Sequence, residues 1–372
     1  MLAQPPLWLI VIAFMLAIGP LVFFHELGHY AMARAFGIGA ESFSIGFGRE
    51  IVGWTDRRGT RWKVGLLPLG GYVKFVGDEN AASQPGAGAA ADPRSFHARP
   101  VWQRFLVVLA GPMTNFLIAI LIFAAFFAAI GVPRTPPVVA QMMPGSAAAS
   151  SGLAVGDRIT AIGGEGITTF EDIFRYVVLR PGQTVTVDAV RDGRAIHVPV
   201  TLGAATEVDE YGQRYRVGRL GILQPKRVSE RVPAIDLIPT SVGFTLKMTR
   251  AMVDGLGQVI AGQRSVKELG GPLKMAQVAG QQAALGPFEF IQLLAFFSIN
   301  LGFINLLPVP MLDGGHLAFY AIEAVRRKPV DPRAMDWAFR GGLALLLALM
   351  LVLTVNDLSS FGLFDRLGRL IG

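Results

Sequence analysis

His25, Glu26 and His29 lie within one short stretch, FFHELGHYAMARAF, residues 23–36. In an α-helix, positions i and i+4 share a face one turn apart, so both imidazoles can bind a single zinc ion. Glu26 projects about 100° further round the helix, close enough to serve a metal-bound water as general base. The stretch closes an apolar run that begins near Leu7. Ionisable groups inside a membrane span cost several kcal/mol unless they are paired, coordinated or hydrated. A structural pair of interfacial histidines is the plain alternative to a metal site.

Zinc catalysis asks for a third protein ligand and an open fourth position. The chain has no cysteine. The candidates are therefore His97, His197, His316 and the acids, with His197 reading as a surface side chain on an alternating strand. The stretch NLGFINLLPVPMLDGGH, residues 300–316, places Asp313 just after Pro308-Val309-Pro310 and before Gly314-Gly315. Prolines interrupt a helix there, and irregular backbone at membrane depth is tolerated where it lines a cavity. A carboxylate at such a break could reach the histidine pair; a helix cap is its ordinary use. Asn300 and Asn305 are further polar groups in the same span. They suit either a clamp for substrate backbone or hydrogen bonding between helices.

The elements that must position these groups are mostly membrane helices. Hydrophobic residues make up 52% of the 372, charged ones 16%, and mean hydropathy is +0.47, which points to a membrane protein. Residues 7–24 carry no charge and continue as helix-compatible sequence to Phe36. A cleaved signal peptide would have a basic n-region, which is missing, so the run reads as a retained span. Residues 105–131, 290–309 and 341–355 are three further spans. Arginines and lysines crowd the first and third connections, which the positive-inside rule places in the cytosol. The long 132–288 segment is then external. The net charge of +7 is mostly this bias, so no nucleic-acid partner is inferred.

Four regions follow. Residues 1–131 hold two spans and a cytosolic loop whose 43–77 portion mixes Gly turns with aromatic and β-branched residues, a hairpin pattern. Residues 80–94 are Ala/Gly/Pro-rich and read as flexible. Residues 132–230 form a small external α+β module with its core at 138–202 and a helix around 169–180. Residues 231–288 contain an amphipathic helix, with Val242, Leu246, Val253, Leu256 and Ile260 at helical spacing, suited to lie on the bilayer or against other helices. Residues 289–372 hold the last two spans.

HELGH in the first span, AGPMTNF at 110–116 and N-x-x-P-x-P-x-L-D-G-G from Asn305 to Gly315 together resemble the site-2 protease family of intramembrane zinc metalloproteases, and within it the bacterial regulator of sigma E protease type. PGSAAASSGLAVGDRITAIGG in the external module is similar to a PDZ domain. One copy is found, where many relatives of this type carry two. The resemblance implies a polytopic α-helical membrane protein of about four transmembrane helices, with a cytosolic-side β-rich loop and an external α+β PDZ domain. It implies that His25, His29 and Asp313 bind Zn²⁺, that Glu26 is the catalytic base and that Asn305 helps hold substrate. Substrates would be single-span membrane proteins, trimmed outside and then cut within or near their membrane segment. The expected location is the bacterial inner membrane, with the PDZ domain periplasmic and membrane lipid all round. A non-catalytic PDZ scaffold would leave HELGH and Asp313 unexplained. A metal transporter would need a repeat of spans that the sequence lacks.

Overall fold

The computed structural model describes residues 5–79, 92–208, 214–225, 228–262 and 270–360. Most of the 80–94 segment read as flexible lies outside them. The chain divides into two compact units, one of residues 1–125 and 236–372 and one of residues 126–235.

The first unit is helical apart from one hairpin. Helix α1 (Leu7–Ala35) is followed by strands β1 (Ala40–Thr55) and β2 (Arg61–Phe75), then by α2 (Val101–Ile130), which runs on into the second unit. After that unit come α5 (Leu237–Ile260), α6 (Pro272–Leu285), α7 (Pro287–Leu306), α8 (Asp313–Arg326) and α9 (Pro332–Ser360). Four of these helices, α1, α2, α7 and α9, are long and apolar enough to cross a membrane. Helix α9 begins nine residues before the fourth span read from sequence, because Arg333, Asp336 and Arg340 dilute its apolar signal without breaking the helix. The Asp336–Arg340 ion pair (2.9 Å) satisfies charges one turn apart.

Lipid gives helices no hydrophobic reason to associate, so close packing has to do it. Ala13, Ala17 and Leu21 of α1 are buried against Ala279 of α6 and Leu293 and Phe297 of α7. Helix α6 was not visible in the sequence, since its apolar residues hold no clear period. Helix α5 buries Ser241 and Thr245, while Leu246, Val253 and Ile260 are exposed. That is the reverse of a helix on a soluble core, and it presents an apolar face outward.

The hairpin is strongly bent. Phe43 pairs with both Val73 and Trp62, because the first half of β1 lies between the two halves of β2. Residues 71–75 of β2 pair only with β1 among the described residues and so form an edge. Phe43, Val73 and Phe75 pack with Tyr30, Phe96, Val107 and Tyr320 in one buried cluster, which fixes the hairpin to α1, α2 and α8.

The second unit is an α+β module. Strands β5 (Arg158–Ile162), β6 (Glu165–Gly166), β7 (Thr184–Arg191) and β8 (Arg194–Thr201) form an antiparallel sheet of order β6-β5-β7-β8. Short strands β3 (Val132–Arg134), β4 (Gln141–Met142), β9 (Gly203–Val208), β10 (Arg214–Arg219), β11 (Ile222–Leu223) and β12 (Val228–Glu230) add the pairs β3–β12, β4–β11 and β9–β10. Helix α3 (Ala147–Ser151) is capped by Ser146, and α4 (Phe170–Val178) opens on a Thr169–Asp172 capping box. Val139, Ile159, Ile162, Ile173, Val187 and Val200 form the core.

Asp157, the acid of AVGDRI, has its side chain fully buried and is held by Arg191 through two bonds of 2.7 Å and by the Ala154 N–H at 2.8 Å. The Arg191 hydrogen bonds hold its carboxyl below the usual carboxylate range. A carboxylate with a lowered folded pKa stabilises above its unfolded pKa, about 3.9, and loses that contribution as pH falls through the folded value. Protection of the amides of residues 154–157 against hydrogen exchange, relative to their intrinsic rates, should therefore fall below about pH 4, and in Asp157→Asn it should be low at neutral pH already. Wild-type protection in that variant at neutral pH would refute the assignment.

Candidate metal centre

Three acceptor atoms from two distant parts of the chain meet in the first unit. His25 Nε2 and His29 Nε2 are 3.2 Å apart. Asp313 Oδ2 is 3.1 Å from the former and 3.4 Å from the latter. Both histidines are buried on α1, and Asp313 is the first residue of α8. These three are the one group with metal-ligand character among the described residues.

Hydrogen bonds on the far side of each ring decide what its inner nitrogen can do. His29 Nδ1–H donates to the Val107 carbonyl of α2 (2.9 Å), so Nε2 keeps its lone pair. The Asn115 carboxamide, also on α2, lies 3.0 Å from His25 Nδ1. Its two ends have the same shape, and its Oδ1 has no partner when Nδ2 faces the ring. Turning the amide lets Oδ1 accept the Nδ1–H and frees His25 Nε2 as a second lone pair. Asp313 Oδ2 likewise has no hydrogen-bond partner. Three lone pairs then aim at a common point.

Such a cluster repels itself unless a cation lies between its members. Ligand bonds of about 2.0–2.1 Å to a tetrahedral zinc place ligand atoms about 3.3 Å apart, which is the spacing found here. Two imidazoles and a carboxylate also match the donor set of a catalytic zinc that keeps one position open. The residues fit zinc.

The break before Asp313 has a steric cause. Helix α7 ends at Leu306, Pro308 and Pro310 prevent its continuation, and Met311 sits at φ 81° before α8 starts. The loop folds back so tightly that a Cβ at Gly315 would lie 2.5 Å from the Val309 carbonyl. A Cβ at Gly314 would strike the carbonyls of Leu306 and Leu307. The double glycine is what lets the carboxylate turn toward the histidines.

Glu26 is buried beside His25, and its Cγ lies 2.9 Å from where a Cβ on Gly71 would be. Strand β2 thus touches the motif through a glycine. Glu26, the three ligand candidates, Asn305 and Gly71 all line one cavity of about 490 Å³. Asn305 Nδ2 is 3.5 Å from His25 Nε2, so the side chain faces the centre. Among the other histidines, His316 lines the cavity, His97 pairs with Asp78 (2.9 Å) and His197 is exposed and pairs with Asp188 (2.6 Å). None of the three joins the cluster.

Asn115 had no role in the sequence reading, although AGPMTNF contains it. The same helix contributes Gly111, where a Cβ would collide with the His29 ring. An asparagine inside an otherwise apolar span was the available signal.

Asp313→Ala should release zinc, whereas His316→Ala should retain it. Asn115→Leu should weaken zinc by about 10- to 100-fold, since it removes the group orienting a ligand. Metal analysis and chelator competition measure all three. Zinc loss from His316→Ala with retention in Asp313→Ala would reverse the ligand assignment.

Comparison with known proteins supplies the setting for this centre. The model of peptidase family M50 matches residues 13–349. "Putative zinc metalloprotease Atu1380" of Agrobacterium fabrum is 42% identical over 361 residues, covering 94% of this chain and 96% of that protein. Metalloprotease MmpA of Caulobacter vibrioides is 37% identical, covering 97% and 98%. Among solved structures, the PDZ domain of the SdrC-like protein from Listeria monocytogenes is similar to 26% of this chain and 93% of its own, at 22% identity and a TM-score of 0.19. With a family match over nearly its whole length and four helices able to span a bilayer, the chain belongs to peptidase family M50, the site-2 protease family, and is a zinc-dependent protease with the makings of a multi-pass membrane protein.

Proposed function

We propose that the protein is an intramembrane endopeptidase of the bacterial inner membrane that cuts the membrane segments of single-span proteins. The observation that carries this reading is the convergence of His25 and His29, on the membrane-type helix α1, with Asp313 at the start of α8 just after the membrane-type helix α7, in a cavity bordered by a strand edge. His25, His29 and Asp313 would hold zinc, which when bound would polarise the scissile carbonyl and lower the pKa of water. Glu26 accepts the proton of the attacking water and returns it to the amide nitrogen as the peptide bond breaks. Asn305 steadies the substrate backbone beside the centre.

A transmembrane helix hides each carbonyl in an i to i−4 hydrogen bond, so it must unwind before it is cut. Unwound backbone in an apolar setting needs new partners. Residues 71–75 of β2 offer them, because this edge lies along the cavity and, among the described residues, is paired on one side only. Strand addition would satisfy the substrate and bring its carbonyls past Glu26.

The basic loops assign the hairpin to the cytosolic side and residues 126–235 to the periplasm. We read the latter as a single PDZ domain, on its PGSAAASSGLAVGDRI segment and its compact sheet with two helices. It screens the external parts of substrates, passing those already trimmed by another protease. The outward apolar face of α5 suits contact with lipid.

Glu26→Gln should keep its zinc and lose turnover. In that background, cysteines placed on residues 71–75 should crosslink to a substrate's membrane segment, and proline substitutions along the edge should slow cleavage without releasing zinc. If neither occurs, the hairpin is only structural. A zinc-free protein, or one whose activity survives Glu26→Gln, would remove the catalytic reading and favour a PDZ-bearing scaffold.

Deleting residues 138–202 should leave zinc and cleavage of trimmed substrate intact and newly permit cleavage of untrimmed substrate. Loss of cleavage of trimmed substrate by a folded, zinc-loaded deletion would instead favour recruitment through a carboxyl terminus.

A further inference from the structure

His316 lines the same cavity as the candidate zinc ligands, yet the reaction as described gives it nothing to do. It stands three residues after Asp313 on α8, so the two side chains share one face of that helix. Among the described residues its ring makes no hydrogen bond and belongs to no metal-binding group. The ring is backed by aromatics, with Phe339 of α9 at 4.9 Å and Tyr320 of α8 at 6.4 Å between centroids. The ring is partly buried, so water in the cavity satisfies its nitrogens until a substrate displaces that water.

Chemistry at the centre creates a need that such a group meets. When water adds to a peptide carbonyl, the oxygen takes up negative charge, and a fixed N–H aimed at it lowers the barrier. The cavity has few candidates for this donor. Tyr72 is stacked on Phe47 at 6.0 Å with Lys63 over its ring, and Asn305 has the substrate backbone to hold. Glu26, His25, His29 and Asp313 are engaged as base and ligands. His316 is the donor left over.

We propose that His316 is a catalytic residue, donating a hydrogen bond from its ring N–H to the scissile carbonyl oxygen as that oxygen gains charge. The proton stays on the imidazole, and no bond to His316 forms or breaks. This role rests on the reading of the chain as a peptidase acting at His25, His29 and Asp313.

The test compares full-length wild type, His316→Phe, His316→Gln and Glu26→Gln on a single-span substrate in detergent micelles, with zinc measured in each. His316→Phe keeps the ring against Phe339 and Tyr320 but removes the N–H. It should carry as much zinc as wild type, lose about 100-fold in kcat and change KM by less than about twofold. His316→Gln restores an N–H donor and should recover part of kcat, about tenfold over His316→Phe. Wild-type kcat in His316→Phe would show that the ring only packs, and would overturn the proposal. So would loss of zinc from His316→Phe, or a glutamine variant no faster than the phenylalanine one. Absence of zinc-dependent cleavage by the wild type would overturn the peptidase reading itself, and His316's role with it.

Discussion

Three lone pairs held 3.1–3.4 Å apart are the arrangement on which the rest of this structure depends. Left to themselves these atoms repel, and nothing in an apolar environment would soften the repulsion. A divalent cation between them would turn that cost into binding energy. Two imidazoles and one carboxylate suit zinc, and they offer too few oxygens for calcium.

Holding three mutually repelling groups requires a rigid support, and α2 supplies it from a single stripe. Asn115 orients His25, Gly111 makes room for His29, and the Val107 carbonyl fixes the tautomer of His29. Arg104, one turn further on, pairs with Glu323 of α8 at 2.8 Å and lies over the Tyr320 ring at 5.0 Å. Both members of that pair are largely buried, so breaking it would strand a charge. The helix that carries Asp313 is therefore tied to the same strut as the two histidines. Residues 104, 107, 111 and 115 lie on one face of α2 by helical spacing alone.

The membrane setting explains why small residues and glycines recur at these contacts. A Cβ on Gly28 would lie 2.5 Å from the Ala110 carbonyl, so α1 and α2 approach at the level of the motif through backbone. A Cβ on Gly302 would come within 3.1 Å of the Pro112 carbonyl, which draws α7 to the other side of α2. Close approach replaces the hydrophobic effect as the source of helix association. It also brings polar groups within hydrogen-bonding distance, as when Ser298 of α7 donates to the Asn115 carbonyl at 2.7 Å.

Local pattern carried much of this protein in its sequence. His25 and His29 share a helix face because they are four residues apart, and the double proline before Asp313 marks a helix break wherever it occurs. Uninterrupted apolar runs likewise announce the long helices, Gly turns among aromatic and β-branched residues announce the hairpin, and alternation announces strands of the second unit. Groups that act across long separations were another matter. His29 meets the Val107 carbonyl 78 residues away, His25 meets Asn115 across 90, and Arg104 meets Glu323 across 219. Nothing in the spacing of such residues records their partners, because only packing between helices sets it. Helix α6 and the half-length pairing of β1 with both parts of β2 belong to the same class, weak in local period and decided by neighbours. Residue types and spacing settle which side chains could bind and activate, whereas packing between helices selects the carboxylate that meets the histidines and the side chains that aim them, since ligand geometry is a relation between elements and not a property of any one of them.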